Sequence, residues 1–138
     1  MVVNGLLLPH DLLALMESGR WKAPLNPSGV DRLFPENGGL YPYSVELMES
    51  ETQALSNLLL QGQMWQPDSD NPPGDIDFRL AVVVADLGMG YDQPVALDFR
   101  VSRDWPRVIT LRWSERGEEN HWVVVAPDIM GFAELVGL

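Results

Sequence analysis

The sequence predicts an α+β fold: an antiparallel sheet of four to five strands, helices packed on one of its sides, and a short helix closing the C-terminus. Three observations carry this. Leu80-Ala81-Val82-Val83-Val84-Ala85 is a continuous apolar run of the sort that fills a central strand. Two later stretches alternate apolar and polar residues with period two. Amphipathic runs bounded by helix start and stop residues flank this strand-rich half. At 138 residues the chain is expected to form one domain over 1–138, long enough to bury one core. Its 46% hydrophobic and 21% charged fractions are those of a folded protein, not a disordered one.

Pro9 to Met16 reads as the first helix. Leu12, Leu15 and Met16 share a face with Leu13 beside them, Pro9 suits the first turn, and Gly19 suits the position just past the end. Residues 20 to 43 are crowded with Pro, Gly and aromatics (Trp21, Phe34, Tyr41, Tyr43) and read as irregular chain pinned by its rings. Val45 to Met48 reads as a short strand. Ser50-Glu51-Thr52-Gln53 then matches a capping box, opening a second helix on Ala54, Leu55, Leu58 and Leu59 that stops at Gly62. Residues 66 to 75 are a turn-rich acidic surface loop.

Asp77 to Ala85 reads as a central strand. Val95, Leu97, Phe99 and Val101 alternate with Ala96, Asp98 and Arg100. Ile109, Leu111 and Trp113 alternate with Val108, Thr110 and Arg112. Each of these two strands should therefore have one buried and one wetter face. Ser114 to Asn120 reads as a charged hairpin loop and His121 to Val125 as the next strand. The last helix starts near Pro127 or Asp128, turns Ile129, Phe132, Ala133 and Val136 inward, and ends at Gly137.

The net charge of −11 comes from 20 acids against nine bases. Such a field repels nucleic acid and anionic membranes and attracts basic partners; it also simply keeps a protein soluble. With no cysteine, disulfides and thiolate metal sites are excluded, which fits a reducing compartment. The N-terminus lacks a basic segment and is interrupted by Pro9, His10 and Asp11, so no signal peptide is expected. No stretch is long enough to span a bilayer. A cytoplasmic protein is the simplest expectation.

No motif for catalysis, cofactor or metal survives scrutiny. Counted as a calcium loop from Asp68, the fifth and sixth positions are Pro72 and Pro73 and the twelfth is Arg79, so the template fails. His10 and His121 form no paired ligand motif. Gly88-Met89-Gly90 lacks the third glycine of a dinucleotide site and the lysine of a phosphate loop, and reads as a tight turn. No Gly-x-Ser-x-Gly occurs. Trp113 and Trp122 suit the core, whereas Trp65 beside the acidic loop suits an aromatic anchor ringed by charge. The candidate partner surface is Trp65, Asp68, Asp70, Asp75 and Asp77, with Glu115, Glu118 and Glu119.

Several features in order carry a family resemblance. Leu8-Pro9 leads into the first helix, and Gly88 and Gly90 follow an apolar strand. Pro94-Val95-Ala96-Leu97-Asp98-Phe99-Arg100 comes next, and Pro106-Arg107-Val108 opens the following strand. Trp122 and Ala126-Pro127 lead to a helix with Phe132 that ends in Val136-Gly137-Leu138. Over residues 80 to 138 the chain resembles the SUKH superfamily, whose yeast members regulate cell-wall assembly and whose bacterial members are mostly immunity proteins. Many members carry an aromatic where this chain has Ile129.

The resemblance implies an α+β fold without a cofactor and a non-catalytic role, binding and neutralising a toxin; the acidic charge makes a basic toxin the expected partner. Asp98 of the matched strand motif is expected to pair with Arg100 or Arg112. Two alternatives stand beside this reading. One is a regulatory scaffold of the same fold with a cellular partner. The other is a small-molecule binder using the wetter sheet face (Asp98, Arg100, Thr110, Arg112). The oligomeric state is open.

Overall fold

Asn4 and Gly5 set the first turn. Both adopt left-handed backbone (φ 55° and 74°), the conformation a two-residue hairpin turn requires at both central positions. They join β1 (Val2–Val3) to β2 (Leu6–Leu7), with Val2 opposite Leu7 and Val3 opposite Leu6. Val3 and Leu6 are buried; Val2 and Leu7 face out. The Asn4 side-chain amide donates to the carbonyls of Phe78 and Ala81, tying the hairpin to the chain just ahead of the main sheet. This hairpin was absent from the sequence expectation. The computed structural model describes residues 1–26, 28–33, 39–60, 76–87, 93–112 and 121–138.

Helix α1 spans His10–Glu17 and buries Leu12 and Leu15. Gly19 (φ 75°) turns the chain back just beyond it. The segment expected to be irregular contains two elements. Helix α2 (Ser28–Leu33) buries Val30, and β3 (Tyr41–Pro42) joins the main sheet. Gly29 lets α2 meet the C-terminal helix backbone to backbone: a Cβ there would lie 2.2 Å from the Leu135 carbonyl oxygen.

The expected strand at Val45–Met48 is instead the first turn of α3 (Val45–Leu60). Ser44 is its cap, its hydroxyl accepting from the Leu47 amide at 3.3 Å. The predicted capping box is therefore interior. The Ser50 hydroxyl donates to the Leu47 carbonyl, and the Gln53 amide donates to Asn57 rather than reaching back. Met48, Thr52 and Leu55, spaced four and three apart, form the buried stripe.

The main sheet runs β3-β4-β5-β6-β7, all antiparallel. Its remaining strands are β4 (Ala81–Asp86), β5 (Pro94–Asp98), β6 (Arg107–Arg112) and β7 (His121–Ala126). The strand expected from Asp77 begins only at Ala81, because Phe78–Leu80 form a tight helical turn capped by Asp77. Helix α4 (Ile129–Val136) follows, capped by Asp128, whose carboxylate accepts from the Gly131 amide at 2.7 Å. It buries Ile129, Phe132, Ala133 and Val136 as expected and ends on Gly137 (φ 82°). The features expected at Phe34, Gly62, 66–75, Gly88 and Gly90, Trp113 and 114–120 lie outside the described residues.

The architecture is α+β, with α1 and α4 on one face of the sheet. Val82, Val84, Val95, Leu97 and Val108 pack there against Leu12, Leu15, Phe132 and Val136. The other face is not wet. Ala81, Val83, Ala96, Ile109, Leu111 and Trp122 form a second cluster with Leu55, Ile76 and Phe78. Every residue of β5 is buried, as are Val108 to Leu111 of β6. Helix α3 packs along β4 and serves both clusters, Met48 entering the first and Leu55 the second. Its Thr52 hydroxyl accepts from the Val83 amide at 2.9 Å, a donor that two-residue β3 does not reach.

Candidate functional site

Of the predicted partner surface, Trp65, Asp68, Asp70, Asp75, Glu115, Glu118 and Glu119 lie outside the described residues. Asp77 is described, and its carboxylate is engaged. It accepts from the Arg79 amide (3.0 Å), Nε (3.1 Å) and Nη2 (3.0 Å). The Arg79 hydrogen bond holds Asp77 below the usual carboxylate range, against a smaller opposing effect of burial.

The expected polar face does not assemble. The β5–β6 register sends Asp98 to the second cluster's side, opposite Arg107, and Thr110 to the other side, opposite Val95. Thr110 is buried, its hydroxyl donating to the Pro94 carbonyl at 2.9 Å. Arg112 does not meet Asp98; its Nη2 donates to the Leu33 carbonyl at 3.4 Å.

Asp98 is only 1% exposed and receives two arginines. Arg100 is bidentate, Nε on Oδ1 at 2.8 Å and Nη2 on Oδ2 at 3.0 Å. Arg107 adds Nη2 on Oδ2 at 2.6 Å, and the Arg100 amide a fourth contact at 3.1 Å. Burial alone would push this carboxyl up. The hydrogen bonds from Arg100 and Arg107 together outweigh it and hold the group below its ordinary value. The sequence pointed to Arg100 and missed Arg107, the true cross-strand partner. These contacts occupy both Asp98 oxygens, while the buried Arg107 Nε meets no acceptor among the described residues; the cluster ties the end of β5 to the start of β6.

Six residues past Asp98, the same connection builds an open site. A cavity of about 370 Å³ lies between two walls. Leu7, Pro9 and Asp11 come from β2 and the start of α1; Arg103, Asp104 and Trp105 come from the β5–β6 connection. The Trp105 amide donates to the Ser102 hydroxyl at 3.0 Å, which fixes the turn carrying the ring. Trp105 is 63% exposed and Leu7 64%. Among the described residues, Asp11 and Asp104 have no ion-pair partner. The two carboxylates outnumber the one arginine of the lining, Arg103, and an exposed indole with an aliphatic neighbour beside them is suited to taking a protein side chain that is both apolar and cationic.

Sequence reasoning passed over Trp105. The available signal was an aromatic in the polar run Ser102-Arg103-Asp104, outside both period-two patterns. Among the described residues, no group of three or more His, Asp or Glu side chains could hold a metal ion, and no helix is long and apolar enough to cross a membrane. No protein-family model, curated protein or solved structure matches the chain.

Proposed function

We propose that the protein is a non-catalytic binding module that neutralises a basic toxin domain by direct contact, as immunity proteins of the SUKH superfamily do. The observation that supports this most is the Leu7–Trp105 groove, where an exposed indole stands beside the carboxylates of Asp11 and Asp104, neither of them ion-paired among the described residues. The charge of −11 would steer a cationic partner to such a surface, with Asp68, Asp70 and Asp75 adding to the field. On this reading the chain works in the cytoplasm, needs no cofactor and does not bind nucleic acid.

The test is a pull-down on the tagged chain at low and high salt, run in parallel with Trp105→Ala, followed by co-expression of any captured basic protein. A basic protein that is lost at high salt, kills cells alone and is silenced by this chain is the expected result. Truncating a central aromatic anchor costs about 2 kcal/mol or more, roughly a 30-fold loss of affinity, so Trp105→Ala should retain little of it. Capture of an abundant housekeeping protein instead, with a growth defect on deletion, would move the assignment to a regulatory scaffold.

A further inference from the structure

The five-stranded sheet has two edges, and they are treated differently. At one edge β3 is two residues long and contains Pro42, and the stretch of β4 beyond it is covered by α3 through Thr52. Short edge strands, prolines and covering helices are the usual means of closing an edge to other chains. At the other edge lies β7, six residues long, paired among the described strands with β6 alone. Trp122-Val123-Val124-Val125-Ala126 contains no charge and no proline. Val124 is 44% exposed. Among the described residues, the outward backbone groups of Trp122 to Ala126 have no other hydrogen-bond partner. A register shift opposite Val108 and Ile109 bends the far end, leaving His121 to Val124 as the regular part.

We propose that β7 is a docking edge for a second copy of this chain, paired antiparallel about a two-fold axis so that two five-stranded sheets become one of ten strands. Charge and closure select this occupant. Two chains of −11 repel each other over most of their surface, and β7 is an uncharged strip where they can meet without opposing like charges. A basic partner, by contrast, would find no carboxylate on Trp122 to Ala126 to exploit. Because the β3 edge is closed, isologous pairing uses the one open edge of each sheet and stops at two copies rather than growing into a fibre.

Sedimentation equilibrium of the full chain from micromolar to millimolar concentration, in 50 mM and 500 mM NaCl, tests this. A monomer–dimer equilibrium that tightens with salt is expected, since salt screens the repulsion. Val124→Lys should weaken it at least tenfold. Amide hydrogen exchange of the unmodified chain gives a second reading that needs no variant: outward amides of β7 should slow as concentration rises. A monomer at every concentration, exchange in β7 independent of concentration, or a dimer indifferent to Val124→Lys would each overturn the proposal. A monomer would leave β7 open to a strand from a different protein.

Discussion

Asp98 and Asp104 sit six residues apart in one connection and do opposite things. Asp98 is buried and held by two arginines and a backbone amide; Asp104 lines a cavity and has no ion-pair partner among the described residues. A carboxylate shut away from water must be matched contact for contact, and once matched it has nothing left to offer a ligand. A carboxylate in water needs no match, so leaving it unpaired costs the fold little and keeps it available. In this acidic chain the number of acids therefore says less about binding than which of them are already spoken for.

The sharpest way to break that contrast is to remove Asp98. Asp98→Ala leaves Arg100 and Arg107 facing each other without an anion and should destabilise by about 3 kcal/mol, a figure at the low end for broken buried pairs because both arginines keep some contact with water. Urea unfolding measures it, and a loss below about 1 kcal/mol would mean the cluster is ornamental. Thr52→Val, which strands the Val83 amide at the closed edge, should cost about 1–3 kcal/mol in the same assay.

Acid should weaken the fold through Asp98. The folded state holds the Asp98 carboxyl below its ordinary value, so it binds that proton more weakly than the unfolded chain does. The stabilisation is present above the unfolded value of about 4 and is lost as pH falls through the lower folded value. Asp98→Asn should flatten this part of the stability–pH curve; a curve unchanged by the substitution would assign the acid sensitivity elsewhere. The smallest effects belong to the groove. Asp104→Asn and Trp105→Ala should each shift stability by no more than about 0.5 kcal/mol, as surface changes do. Larger losses would show that the groove is structural and blur the distinction from Asp98.

What the sequence made legible follows the length of the pattern. Strands β4 to β7 and helices α1 and α4 announced themselves through runs of apolar residues at steady spacing, and Asp128 and Gly137 bracketed the last helix. The helix at Ala54 to Leu59 was legible, but the start of α3 was misread because its buried stripe passes through Thr52, a polar residue whose burial depends on an amide of another strand, and because Val45 to Met48 is too short to separate helix from strand. The first hairpin was signalled by Asn4-Gly5, but with only two residues on each side no alternation marks it. Asp98 looked like a wet residue since its match, Arg107, becomes adjacent only through the register of β5 on β6. The site fared worse than the fold. Most of the acidic surface falls outside the described residues, and Trp105 belongs to no period.

Two of the five tryptophans sit in opposite surroundings. Trp122 is buried edge-on to Phe78, ring centres 6.4 Å apart, and its indole N–H has no hydrogen-bond partner among the described residues. An indole in such dry surroundings emits at short wavelength and is shielded from iodide. Trp105, standing in water, emits at long wavelength and is quenched at once. In a chain whose other three tryptophans (Trp21, Trp65 and Trp113) are replaced by phenylalanine, loss of the blue emission reports unfolding of the second cluster, while protection of the red emission reports occupancy of the groove, in one cuvette and without a label.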